Sequence, residues 1–463
     1  MKNHSHLTPI LILLPMTILA GTLRYALINV FEAVWWDEAV YMGLARSLYE
    51  SFAFTFPFGL ERFRPILLPI ILSPTYHFKS PELLARAEVL VFSAISIPAI
   101  YYLGRTLYSW KTGLLASLFL ATNSLFILHG QRILAESMYI TFSSLATALF
   151  YKGIENDKSL LMPAAFFTGL AALTKNFGFF LPLLYLAYTI FGGRLNRIKL
   201  RTASFCMLIF LATLSPNFYF SWVNYGNPLG TFIDQLQNVP PATSYPYFYL
   251  QRFAVVFSWN SFFILAGLIL AVRKRSSQDI FLLAITLLPM LLLNTVFYFH
   301  MEERYIIPFM PAFLVGGGSV ADRLRKVDRK ILVAIALLAL VFSSVSLKEG
   351  YEMIVNDSQT NGTLKQACIY LKEITRESEV VASPSYPFVY YYAERPTVKP
   401  PDDRRLLYNV LESLEVRYVL IHYPEPDNPP YLAEEIQNGK FIKIKGFQDS
   451  SGVELTAIYQ YIG

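Results

Sequence analysis

Two cysteines are all that the 463 residues hold, Cys206 in an apolar run and Cys368 near the C-terminal end. So few thiols argue against a disulfide framework and against a cysteine-based metal site. Charge is equally sparse, at 16% of the chain against about 25% in an ordinary soluble domain. The chain has no glycine-rich phosphate loop, and none of its six histidines stands in a ligand spacing such as His-x-x-x-His. The scarcity of charge is also uneven. Residues 350–463 carry 11 Lys/Arg and 16 Asp/Glu, a normal soluble density, whereas residues 1–349 carry 28 and 17. Net charge is therefore +11 before Gly350 and −5 from it onward. A soluble one-domain enzyme is excluded, and so is a nucleic-acid binder read from the sequence pI of 9.0.

Abundant apolar residues fill the gap. Segments of spanning or near-spanning length fall at about 7–31, 84–104, 112–129, 134–151, 159–174, 176–192, 202–223, 253–272, 279–299, 305–320 and 331–347. These predict a polytopic α-helical membrane protein with about eleven transmembrane helices. The first has Lys2 before it and resembles a signal peptide, but its apolar stretch runs on through Val30, so an uncleaved helix is expected. The run 65–78 is short and punctuated by Pro65, Pro69 and Pro74, which suits an interfacial or re-entrant piece.

Lysine and arginine then orient the chain. Alternate turns carry Lys2; Arg105 and Lys111; Lys152 and Lys158; Arg194, Arg197, Lys199 and Arg201; Arg273, Lys274 and Arg275; and Arg323, Arg325, Lys326, Arg329 and Lys330. The positive-inside rule makes these turns cytoplasmic, with the N-terminus inside and the tail outside. The Asn-x-Ser/Thr tripeptides at Asn356 and Asn361 agree with an external tail. Every cytoplasmic turn is too short for a nucleotide-binding domain. The long stretches 32–83, 224–252 and 350–463, read as non-helical, all lie outside. The expected organisation is a membrane module over 1–349, with external loops 32–83 and 224–252, and a small α/β extracytoplasmic domain over 350–463. In the tail, helical pattern is expected at 361–376, 404–414 and 430–437, and strands at 379–383, 416–422 and 453–460.

Ionisable residues at helix ends or inside apolar runs are costly and are functional candidates. Trp35-Trp36-Asp37-Glu38 follows the first helix, with Tyr41 beyond. An acid in a partly apolar wall suits proton abstraction, and equally the pair can sit solvated in an interfacial aromatic belt. Arg62 and Arg64 precede the short run and suit a phosphate or lipid headgroups. Arg24 lies within the first helix and Arg86 at the outer end of the second, each able to snorkel or to meet a carboxylate. Lys175 separates two apolar runs. Glu302-Glu303-Arg304-Tyr305 joins two more, where a Glu303–Arg304 salt bridge is one reading. Arg132 and Glu136 are spaced as an i, i+4 pair.

In order along residues 7–320, these landmarks resemble the membrane-embedded GT-C glycosyltransferases, particularly protein O-mannosyltransferases and the aminoarabinose transferases of lipid A. The resemblance rests on Arg24, Asp37-Glu38, Tyr41, Arg64-Pro65, Arg86, Lys175 and Glu303-Arg304-Tyr305-x-x-Pro308-x-x-Pro311. It implies an inverting transfer of a sugar from a polyprenyl- or dolichyl-phosphate donor to an acceptor hydroxyl of protein, lipid or glycan, on the outer face. Asp37 would be the base, with Glu38 and Arg24 orienting it. Arg64, Lys175 and Arg304 would bind the donor phosphate; Tyr41, Arg86, Glu303 and Tyr305 would support the substrate pocket. No cofactor is required by the resemblance; beyond Asp37-Glu38 no acid pair for a divalent metal is evident, and metal dependence stays open. Oligosaccharyltransferases are disfavoured, because their Trp-Trp-Asp motif lies in a C-terminal domain and here it lies in the first loop. The alternative from another class is a polytopic transporter or lipid flippase, which would show repeats and mid-membrane charges.

Overall fold

The computed structural model describes residues 4–56, 59–60, 64–238, 247–295, 302–324 and 329–463. Arg62, Arg325 and Lys326 lie outside them. Packing divides the chain into two compact units: residues 1–28, 62–68 and 83–355, and residues 29–61, 69–82 and 356–463.

Among the described residues, the first unit is mostly helical over its expected apolar segments. Helices His4–Ala26, Pro81–Leu107, Glu136–Glu155, Ser261–Lys274 and Ser277–Thr295 each fall on one segment. Six described helical stretches are long and apolar enough to cross a membrane, or seven if the pair Leu200–Thr213 and Ser215–Tyr225, bent by 52°, counts as one span. The other expected spans are interrupted or polar for visible reasons. The Asn123 side chain accepts the Phe126 N–H and so starts a new helix at Ser124, splitting the run 112–129. Leu161–Thr174 and Phe180–Phe191 are short because Lys175 and a 3-10 turn part them. A core of fully buried side chains, Phe119, Phe126, Phe257, Phe281 and Phe313 among them, runs through the bundle. Close approach is purchased with glycine. A Cβ on Gly267 would overlap the Gly316 carbonyl, so only glycine lets helices Ser261–Lys274 and Met310–Gly318 touch backbone to backbone.

One end of this unit gathers the turns expected to share a face. Asp279 is fully buried and pairs with Arg323, and it accepts the Tyr108 hydroxyl at 2.9 Å. Glu155 takes Arg194 and Arg197, each at 2.6 Å. Ser109 and Thr112 donate to Asp322. Residues from four basic turns thus meet, as the charge pattern required of turns on a common side.

The second unit carries a five-stranded mixed sheet. Strands β1 (Thr55–Phe56) and β2 (Gly59–Leu60) form a separate hairpin. The sheet uses β3 (Val381–Ala382), β4 (Thr397–Val398), β5 (Tyr418–His422), β6 (Phe441–Gln448) and β7 (Glu454–Tyr461), in the order β4-β3-β5-β7-β6. Pairing is parallel among β4, β3 and β5 and antiparallel from β5 through β7 to β6. Helices Gly362–Ile374 and Leu407–Ser413 lie at the expected positions, so the tail is the small α/β unit read from the sequence. Strand β6 was not expected, although Phe-Ile-Lys-Ile-Lys alternates with period two.

Two readings need correction. The stretch 32–83 is not an irregular loop, since it holds the sixteen-residue helix Trp36–Ser51 and the short helix Leu67–Leu72. Likewise 224–252 contains helix Gly230–Gln237. Trp36–Ser51 and Gly230–Gln237 carry too many polar residues to register in a search for membrane spans, and the wholly apolar Leu67–Leu72 is too short. The boundary also differs from 349/350. Helix Arg329–Asp357 runs straight through it, and most of the first loop packs with the tail. Aromatic contacts hold it there: Trp36 stands edge-on to Tyr386 at 5.2 Å and Phe56 to Tyr390 at 5.0 Å.

Candidate functional site

In the second unit, the acidic pair opens the helix Trp36–Ser51. Trp35 is its N-cap, and the Trp35 N–H donates to Glu38 Oε2 at 2.7 Å. Glu38 is thus the third helical residue reaching back over an otherwise unsatisfied first turn, a capping-box role. It is also 0% exposed. Asp37 stands one residue earlier and is half-exposed. Tyr41, four residues on and on the same helical face, is buried. The approach to this turn is fixed by long-range bonds. Trp35 Nε1 donates to Asp357 at 3.1 Å, the Val34 N–H donates to the Tyr392 hydroxyl at 2.9 Å, and Asn361 Nδ2 donates to the Val34 carbonyl at 3.3 Å. That last bond turns Asn361 inward, away from the role of an open modification site.

The first unit holds a buried polar cluster at the start of helix Glu136–Glu155. Glu136 is 2% exposed and pairs with Lys175. His129 and Arg304 lie within electrostatic reach of Glu136. Arg132 is fully buried in the turn before the helix. Among the described residues, Glu136 Oε2 and both amide atoms of the buried Gln131 have no hydrogen-bond partner. A site of this composition carries more cationic than anionic groups and keeps polar atoms unspent, so it can hold an anionic or hydroxyl-bearing ligand. The cluster and the Glu155 network sit at opposite ends of one helix, about 28 Å apart at 1.5 Å per residue.

The remaining expected residues separate. Arg64 is half-buried just before helix Leu67–Leu72. Arg86 is buried on helix Pro81–Leu107. Arg24 is buried, but its guanidinium donates to the carbonyls of Ala20 at 3.2 Å and Ala121 at 3.1 Å and faces the Phe126 ring at 5.5 Å. These contacts clasp two helices and include no carboxylate. Tyr305 stands edge-on to Phe177 at 6.2 Å.

Two expected pairings are replaced. Glu303 pairs with Arg252 at 3.3 Å, and Arg304 pairs with Glu302 at 2.5 Å. Adjacent helical residues diverge around the axis, so Glu303 and Arg304 point to different neighbours. Arg132 and Glu136 are not a helical i, i+4 pair either, because the helix begins only at Glu136. Glu136, His129 and Arg132 were thus undervalued in the sequence, where an acid inside an apolar run was their signal. Among the described residues no three His, Cys, Asp or Glu side chains converge as a metal site requires.

Comparison with known proteins adds to this geometry. Residues 65–220 match the dolichyl-phosphate-mannose-protein mannosyltransferase family. No curated protein matches by sequence. The fold is similar to that of ArnT from Cupriavidus metallidurans bound to undecaprenyl phosphate, with a TM-score of 0.72, 14% identity and 97% of each chain covered. It is similar to the oligosaccharyltransferase AglB from Archaeoglobus fulgidus in complex with an inhibitory peptide and a dolichol-phosphate, with a TM-score of 0.65, 14% identity, and 96% of this chain and 74% of that one covered. It is also similar to the arabinofuranosyltransferase AftD from Mycobacteria, with a TM-score of 0.60, 12% identity, and 96% and 40% covered. The expected resemblance is borne out at the level of fold.

Proposed function

We propose, taking a multi-pass membrane glycosyltransferase of the GT-C type as the premise, that this chain moves a sugar from a polyprenyl- or dolichyl-phosphate donor to an acceptor hydroxyl on the outer face of the membrane. The observation that carries the donor reading is the buried, cation-rich cluster around Lys175 and Arg304, within and beside the segment that matches the mannosyltransferase family. Lipid phosphates bound to ArnT and AglB support the same donor class.

The chemistry divides into two tasks. Asp37 accepts the proton of the acceptor hydroxyl as its oxygen bonds to the anomeric carbon. The bond from that carbon to the phosphate oxygen breaks, and the lipid monophosphate leaves with the electron pair. A single displacement of this kind inverts the anomeric centre. Lys175, Arg64 and Arg304 stabilise the charge that builds on the phosphate. Between the two neighbouring acids, burial and capping commit Glu38 to holding the helix start, which leaves Asp37 as the base. The charge bias of the turns supports a cytoplasmic N-terminus and an extracytoplasmic C-terminal domain.

The test is transfer in liposomes, using radiolabelled polyprenyl-phosphate sugars and a crude acceptor extract, with Asp37→Asn as control. Label should move from lipid to acceptor with wild type and not with the variant. Wild-type rates in folded Asp37→Asn sink the base assignment. Passage of a labelled lipid or solute across the bilayer, with no donor consumed, would establish a transporter instead.

A further inference from the structure

A cleft of about 450 Å³ opens in the unit that carries the sheet, beside the first turn of helix Gly362–Ile374 and the connection between β6 and β7. Its volume falls within the range of small-ligand sites, roughly 300–1,000 Å³. Four primary amides, Gln359, Asn361, Gln366 and Gln448, line it together with the carboxylates of Glu32 and Asp449, the Asn361 amide already donating to the Val34 carbonyl. No lysine or arginine is among its described lining residues. The basic residue on the adjacent helical turn, Lys365, is directed elsewhere. Its Nζ donates to the Glu32 backbone carbonyl at 2.8 Å and lies 5.2 Å from the centre of the Tyr392 ring.

The two carboxylates differ in what they can offer. Asp449 Oδ1 is committed to its own turn, accepting the N–H groups of Ser451 and Val453 and the Ser451 hydroxyl. Glu32 instead reaches over the helix start, and glycine permits it: a Cβ on Gly362 would overlap Glu32 Oε2. The floor is rigid. His422 on β5 is buried and shares a 2.8 Å hydrogen bond with Thr456 on β7, whose hydroxyl meets that of Thr363 at 3.0 Å.

This composition selects its ligand by exclusion and by match. With carboxylates on the rim and the nearby Lys365 ammonium spent on the Glu32 backbone carbonyl and the Tyr392 ring, the cleft disfavours an anion such as a phosphate. Primary amides present a donor and an acceptor side by side, the pattern that pairs with neighbouring hydroxyls. Among the described lining residues only Pro424 and Leu455 are apolar, too little to seat the side chains of a peptide. We propose that this cleft binds a neutral saccharide and holds the glycan part of the acceptor. The acceptor role rests on the transfer reading above; the saccharide binding does not.

The experiment uses the full chain in nanodiscs and saturation-transfer NMR. Its probes are neutral oligosaccharides, their monodeoxy analogues, uronic acids, calcium chloride and short Gly-Ser peptides. Neutral saccharides should bind, and the matching deoxy analogue at least tenfold more weakly, because a site built for hydroxyls is left with unpaired amides. Gln366→Leu/Gln448→Leu, at exposed positions, should weaken binding at least tenfold at an unchanged melting temperature. Asp37→Asn should bind as wild type, which separates this inference from failure of the transferase reading. No saccharide bound, undiminished binding in the double variant, or occupation by calcium or peptide alone would each overturn it.

Discussion

The Glu136–Lys175 pair gives the most quantitative test of how the first unit is held. Glu136 is 2% exposed and the Lys175 side chain 13%. Neither charge is well hydrated, so each depends on the other. Removing one partner of such a pair leaves an uncompensated buried charge and costs about 3–5 kcal/mol. Lys175→Met should fall in the lower half of that range, because the lysine end retains some exposure and Arg304 and His129 still face the acid. Glu136→Leu should cost a similar amount by leaving the ammonium unpaired. The double variant replaces both charges with apolar groups and should cost about 1 kcal/mol or less, since an apolar substitute for a buried pair is often neutral. The double-mutant cycle then returns a coupling energy of about 5 kcal/mol. Equilibrium unfolding of the four proteins in mixed micelles measures it. Additive single effects, with coupling below about 0.5 kcal/mol, would refute the view that the two charges hold each other in place.

Glu38→Ala removes the charged acceptor of the Trp35 N–H and should cost about 1.5–3 kcal/mol in unfolding, whereas Asp37→Asn should cost nearly nothing while abolishing transfer. Gly267→Ala should push helices Ser261–Lys274 and Met310–Gly318 apart, costing about 1–3 kcal/mol and read as a lower melting temperature. Arg64→Ala should lower kcat as well as raise KM for the lipid donor, since the charge it meets grows as the bond breaks, measured by donor titration. Burial lowers the His422 imidazole to about 4, below the free value of about 6.5. The unfolded chain therefore takes up the proton first. The stability from a neutral His422 is complete above pH ~6.5 and is lost as pH falls toward ~4, on the order of 3 kcal/mol in all. His422→Gln should flatten that part of the pH–stability curve, seen by denaturant unfolding across the window.

Much of this protein was legible from patterns that need no tertiary information. Apolar run length alone fixed the helical membrane module, because an unpaired backbone group cannot be left in lipid. The break in charge density at Gly350 announced the small C-terminal α/β unit, and periodicity placed its helices and three of its strands. The alternation of basic turns anticipated the meeting of Tyr108, Glu155, Arg194, Asp279 and Arg323 at one end of the bundle. Folding decided the rest, since a side chain's partner is set by which segments come together and not by spacing. Sequence neighbours suggested Glu303–Arg304 and Arg132–Glu136; the fold gave Glu303–Arg252, Arg304–Glu302 and Glu136–Lys175. Composition put the first loop with the membrane module, and aromatic packing put most of it with the tail. Adjacent acids of equal chemistry at 37 and 38 were likewise indistinguishable in the sequence. Only the helix start separated them, burying Glu38 as a cap and leaving Asp37 half-exposed beside it.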